Sequence, residues 1–104
     1  MTRFVISEAA TKDIDQVRDY IAADSFEQAD QFIDRIYEEI LRIGSSPRIG
    51  HRRDDVAEQR DLLFWRVGRY LIVYRTNADE TVILAVLHGS RDIPAVLRDR
   101  EPEE

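Results

Sequence analysis

Arg66, Arg69, Tyr70, Tyr74, Arg75, His88 and Arg91 are the residues whose types and spacing offer chemistry in this chain. Arginine presents a planar fork of donors that suits carboxylates, phosphates and aromatic faces. Arginines beside tyrosines can hold a phosphate, stack on a base, or engage an acidic segment of a partner. His88 adds a side chain able to act as a general acid or base. Each residue also has a plainer reading. Arg66 and Arg91 would pair with Asp61 and Asp92, the tyrosines would be core, and His88 would be structural. For a single residue the plainer reading is preferred. For the group a binding surface is preferred. Residues 48–75 carry seven arginines (48, 52, 53, 60, 66, 69 and 75) against four acids.

Other chemistry finds little support. Phosphate-binding glycine loops, HExxH and GxSxG are all absent. His51 and His88 are the only histidines, far apart in sequence, and there is no cysteine. No metal and no cofactor are expected. The acidic pairs Glu38-Glu39 and Asp54-Asp55 fit solvated faces or loops. Trp65 follows Phe64, so one of the two must face away from the helices, either covered by the C-terminal segment or exposed to a partner.

The elements that must position these residues belong to a single domain. The chain has 104 residues, 43% apolar and 35% charged. That length supports one core. Without cysteine, stability must come from packing, which fits a reducing compartment. Apolar runs such as residues 70–74 are far short of a membrane span, and the N-terminal residues do not resemble a secretory signal. The net charge of −6 disfavours non-specific nucleic-acid binding by the whole surface. That total hides an asymmetry: −5 over residues 1–47, +3 over 48–75 and −4 over 76–104.

Residues 3–6 read as a short strand. Ser7 can cap a helix with the stripe Ala10, Ile14, Val17 and Ile21, leaving Asp13, Asp15, Arg18 and Asp19 on the wet side. Ser25 and Gln28 fit a capping box for a second helix with Ala29, Phe32, Ile33, Ile36, Ile40 and Ile43 inward. Gly44 should end it, and Pro47 prevents continuation. Residues 45–58 read as loop. Strands follow at 62–67, 70–75 and 81–88, with a tight turn at Gly68-Arg69. Residues 93–97 form a short turn or helix, and residues 98–104 a charged, frayed tail on a domain spanning 1–97. The expected fold is α+β, in the order β-α-α-β-β-β. A helix hairpin packs on one face of a small, mostly antiparallel sheet. The other face, with its arginines, is left open or partly open.

Four stretches, in this order and spacing, carry a family resemblance. They are residues 6–14 (ISEAATKDI), 44–50 (GSSPRIG), 66–75 (RVGRYLIVYR) and 86–94 (VLHGSRDIP). Together they make the chain, from about Phe4 to Leu97, similar to the RelE/ParE superfamily of bacterial toxins. In RelE-like members the resemblance implies ribosome-dependent cleavage of messenger RNA. ParE-like members are not nucleases, and the best understood poison DNA gyrase. Arg66 and Arg91 match arginine positions of the cleaving branch, and Arg66, His88 and Arg91 would be its catalytic residues. The region lacks lysine, however, and Leu97 stands about where that branch has a tyrosine. Residues 88–94 look more like ParE. The implied function is a toxin of a type II toxin–antitoxin module, acting by protein binding in the cytoplasm. The alternatives are a RelE-like endoribonuclease and a non-toxic antitoxin-binding relic. The implied partner is a ParD-like antitoxin whose C-terminal segment wraps the toxin in a hetero-oligomer. Operator DNA is reached only through that antitoxin. Tyr20, Tyr37, Trp65, Arg66, Arg69, Tyr70, Arg75 and Arg91 are the expected contacts with antitoxin or target.

Overall fold

Ser7 follows the first strand, β1 (Arg3–Ile6), and its hydroxyl accepts the Ala10 N–H at 3.0 Å, starting helix α1 (Glu8–Ala22). Ser25 does the same for Gln28 at 3.1 Å and starts α2 (Phe26–Ser45). The computed structural model describes residues 3–53 and 61–100. The expected stripes face inward: Ala10, Ile14 and Val17 from α1, and Ala29, Ile33, Ile36, Ile40 and Ile43 from α2 are buried. Gly44 does not end α2, which runs to Ser45. A Cβ at Gly44 would stand 3.4 Å from the Phe4 ring, an ordinary contact, so the helix packs against β1 here. Pro47 opens a short 3-10 turn (Pro47–Ile49) inside the expected loop. Residues 54–60, including Asp54, Asp55, Glu58 and Arg60, lie outside the described residues.

The remaining strands are β2 (Leu63–Val67), β3 (Tyr70–Thr76) and β4 (Glu80–His88), followed by helix α3 (Ile93–Arg98). The sheet order is β1-β4-β3-β2, with β1 parallel to β4 and the other pairs antiparallel. Gly68, the first residue of the two-residue β2–β3 turn, has φ +60°, as such hairpins require. The α+β architecture agrees with the sequence reading.

Three expectations need correction. The second face of the sheet is not open, and there are two packed layers rather than one core. One lies under the α1–α2 hairpin. The other joins Leu62, Phe64, Leu71, Val73, Leu84 and Leu87 to Ile93 and Leu97 of α3. The reason lies in β4, where every residue from Thr81 to Leu87 is buried, so its strand needs cover on both faces. Phe64 enters this second layer, whereas Trp65 packs under the hairpin.

Asp13 is not on the wet side. It is buried, accepts the Val86 N–H at 2.9 Å, and is bound by both terminal nitrogens of Arg100 at 2.5 and 2.8 Å. The parallel partner β1 stops at Ile6, opposite Ile83. Beyond that point the edge of β4 needs other partners. Asp13 takes the Val86 N–H, and Arg100 donates to the Leu84 carbonyl at 3.2 Å. The C-terminal residues are therefore not simply a tail. Arg98 closes α3 and Arg100 belongs to this edge, while residues 101–104 lie outside the described residues.

Candidate functional site

The β2–β3 turn, the end of β4 and the α1–α2 hairpin meet at one end of the sheet. The Gly89 N–H donates to the Arg69 carbonyl at 2.8 Å, joining turn to strand end. Tyr70 and His88 are register partners, with rings 5.1 Å apart and edge to face. The Phe32 ring of α2 lies 5.4 Å from that of Tyr70, tilted by 49°. Tyr20, Tyr70, His88 and Ser90 line a cleft of about 320 Å³, and an adjoining groove adds Gln16, Arg91 and an edge of Asp13. Burial pushes the Tyr70 phenol above its ordinary value, with a smaller push from Tyr20. The phenol is therefore neutral at physiological pH, a hydrogen-bonding group rather than a base.

Ser90 sets the tautomer of the neutral histidine ring. Its backbone N–H donates to His88 Nδ1 at 3.0 Å, and its hydroxyl lies 2.8 Å from the same nitrogen. An Nδ1 that accepts leaves the proton of the neutral ring on Nε2. Arg66, Arg69 and Arg91 are all exposed around this end. Asp61 pairs with Arg52 at 2.6 Å, and Asp92 caps α3 by accepting the Ala95 N–H at 3.2 Å. The pairing expected for Arg66 and Arg91 with these two acids is therefore not what the structure has. Arg66 instead donates to the Gly68 carbonyl at 3.3 Å.

Comparison with known proteins decides the family. The family model described as the ParE toxin of the parDE type II toxin–antitoxin system matches residues 4–93. The chain belongs to the ParE toxin family. Toxin ParE3 of Caulobacter vibrioides is 29% identical over 98 residues, covering 93% of this chain and 96% of that protein. A solved structure of the chromosomal ParDE system from P. aeruginosa superposes with a TM-score of 0.71 at 19% identity. It covers 85% of this chain and 96% of that one, a likeness of fold.

In this ParE-family chain the expected contact residues divide. Tyr20, Arg66, Arg69, Tyr70 and Arg91 come together at the turn end with His88. Tyr37, Trp65 and Arg75 do not join them. Tyr37 stands on the outer side of α2, 38% exposed. Trp65 donates from Nε1 to Glu39 at 2.8 Å and stacks on His51 at 6.2 Å. Arg75 pairs with Glu80 at 3.4 Å, at the other end of β3. Sequence reasoning missed Phe32, Arg35 and Ser90 as parts of this end. A weak signal existed for two of them: Phe32 and Arg35 are one helical turn apart, so they share a face.

Tyr74 leaves the chemical group altogether. It is fully buried, donates to the Pro47 carbonyl at 2.6 Å and accepts the Gly50 N–H at 2.9 Å. It anchors the loop that follows α2. Burial raises its phenol above 10.0, although the Gly50 hydrogen bond and Arg48 pull the other way. A raised folded value means that the unfolded chain ionises first. The contribution is complete below pH 10.0 and is lost as pH rises through the folded value. Tyr74→Phe is expected to cost about 1–2 kcal/mol at neutral pH and to flatten the alkaline loss of stability. Urea unfolding of both proteins at neutral and alkaline pH checks this; equal alkaline slopes would assign the loss to other groups.

Proposed function

We propose that this ParE-family chain is a growth-arresting toxin that acts by binding a protein target, DNA gyrase, in the cytoplasm. A ParD-like antitoxin neutralises it by wrapping the toxin in a hetero-oligomer, and operator DNA is reached only through the antitoxin. One observation carries the binding reading over the cleaving one. The turn end offers exposed arginines and aromatic rings but not the lysines and C-terminal tyrosine of the cleaving branch. The nearest lysine in sequence is Lys12, on α1. Leu97, where the RelE-like branch has its tyrosine, is sealed in the second core. His88 Nδ1 is occupied by Ser90, which leaves the neutral ring an Nε2 donor and no free acceptor. Cleavage of a phosphodiester needs a proton donor and acceptor as well as charge stabilisation. Arginine forks and aromatic surface are what a protein contact uses. Among the described residues no helix is long and apolar enough to cross a membrane, and no group of His, Asp and Glu could hold a metal ion.

Induction of the chain in a bacterial host, with messenger-RNA integrity and gyrase supercoiling measured together, tests the reading. Arrest with intact RNA and blocked supercoiling is expected. Arg91→Glu should weaken the inhibition of supercoiling by roughly tenfold or more, as charge reversal at a contact does. Messenger-RNA cuts that vanish in His88→Ala would instead establish the RelE-like activity. A stable antitoxin complex without arrest would mark a binding relic.

A further inference from the structure

A larger cleft, of about 620 Å³, lies between α2 and the β2–β3 turn, and its Phe32 meets Tyr70 of the tyrosine cleft. Its lining is Ile21, Gln28, Gln31, Phe32, Arg35 and Arg69. Phe32 and Ile21 supply an apolar floor, and the two glutamines supply neutral donors and acceptors. Arg35 and Arg69 are exposed, and neither makes an ion pair among the described residues. Gly68 is required by its φ of +60° rather than by lack of room. A Cβ there would stand 3.5 Å from Phe32 and 3.8 Å from the Arg35 guanidinium. The turn thus packs at ordinary contact distance from the ring and the guanidinium, with Arg69 next in the chain.

We infer that this cleft binds a carboxylate-bearing segment of a protein partner. Arg35 and Arg69 would be the forks and Phe32 the seat for a neighbouring apolar side chain. The inference deepens the protein-binding reading above by naming a surface and the chemistry of its occupant. Charge complementarity selects that occupant. Two unpaired arginines with no acid in the lining call for an anion. The rest of the chain selects among anions. The helices that carry this cleft, residues 8–45, hold ten acidic and four basic side chains. A nucleic acid brings phosphates at every step and would meet that negative surface on either side of the cleft. A peptide brings one or two carboxylates and places them only where the arginines are. The floor of Phe32 and Ile21 also favours a peptide, since an aliphatic or aromatic side chain fills it.

The test selects random short peptides, displayed on phage, on the immobilised full chain. Enriched sequences are expected to carry Asp or Glu close to a large apolar residue. Their affinity should fall by about tenfold or more on R35Q/R69Q, the scale for losing a charge-assisted contact. The variant K12Q/R98Q removes the same charge from exposed positions outside the cleft and should bind as the parent does. Enrichment without acidic residues, no enrichment above background, or equal binding by R35Q/R69Q would overturn the proposal. So would a single-stranded RNA that binds through these arginines more tightly than the selected peptides. None of these readouts depends on growth arrest or gyrase. A chain that fails to arrest cells but selects acidic peptides loses the toxin reading and keeps the cleft.

Discussion

Asp13→Ala is expected to lower the unfolding free energy by about 3 kcal/mol, the low end for removing one partner of a buried ion pair. Three bonds end on this carboxylate: one from the Val86 N–H and two from Arg100. Alanine would leave a strand-edge N–H without an acceptor and a guanidinium whose side chain is only 21% exposed. The loss should also loosen α3, because Arg100 follows that helix and ties its end to α1. The hydrogen bond to Asp13 raises the Arg100 guanidinium above its ordinary value, against the opposing pull of burial. A raised value means that the arginine's contribution is complete below the ordinary arginine value, so it does not fade between neutral and mildly alkaline pH. Urea unfolding of Asp13→Ala, Arg100→Ala and the double variant forms a cycle. Strongly non-additive losses are expected. A drop below about 1 kcal/mol for Asp13→Ala would mean that the pair is no more than a surface contact.

Gly50→Ala is the second large effect, expected at about 2–3 kcal/mol from forced repacking and a damaged hydrogen bond. Gly50 has φ −72° and ψ 172°, a conformation open to any residue. The glycine is required for room rather than for backbone freedom. A Cβ would stand 2.6 Å from the Tyr74 hydroxyl, 2.9 Å from its ring and 3.0 Å from the Leu63 Cβ. Tyr74 is fully buried and cannot swing aside. The clash would separate the phenol from Gly50 and from the Pro47 carbonyl, releasing the loop after α2. The variant Gly50→Ala/Tyr74→Phe removes the oxygen that meets the new methyl group. Its loss should be smaller than the sum of the two single losses. Additive losses by thermal and urea unfolding would show that the clash is relieved in another way.

The tyrosines show how far residue type alone can be read. Tyr70 and Tyr74 stand on the same strand, four residues apart, and belong to the same group by sequence. One lines the cleft at the turn end, and the other is an anchor for residues 47–50. The difference lies in what the register places beside each. Tyr70 meets His88 at the open end of the sheet, while Tyr74 sits beyond a register shift between Val73 and Tyr74. Neither the shift nor the partner is written in the local pattern. Arg35 was hidden for the same reason, since a lone arginine on a helix reads as solvated until the turn at Gly68 is seen to approach it.

Interactions within a few residues were legible from sequence. The caps at Ser7 and Ser25, both helical stripes, the Gly68-Arg69 turn and all four strands follow from periods of 3.6 and 2 and from short-range hydrogen bonds. Four ordered motifs were enough to place the chain near its family. Only the tertiary structure decided where β1 stops against β4, and therefore that Asp13 and Arg100, 87 residues apart, must complete the strand edge. It alone brought α3 across the second face and gathered four arginines at one end of an acidic molecule. A buried polar group must find a partner wherever the fold supplies one, and an apolar face must be covered by whatever segment can reach it. Those demands act between residues that are close in space, and a linear pattern holds no measure of that distance.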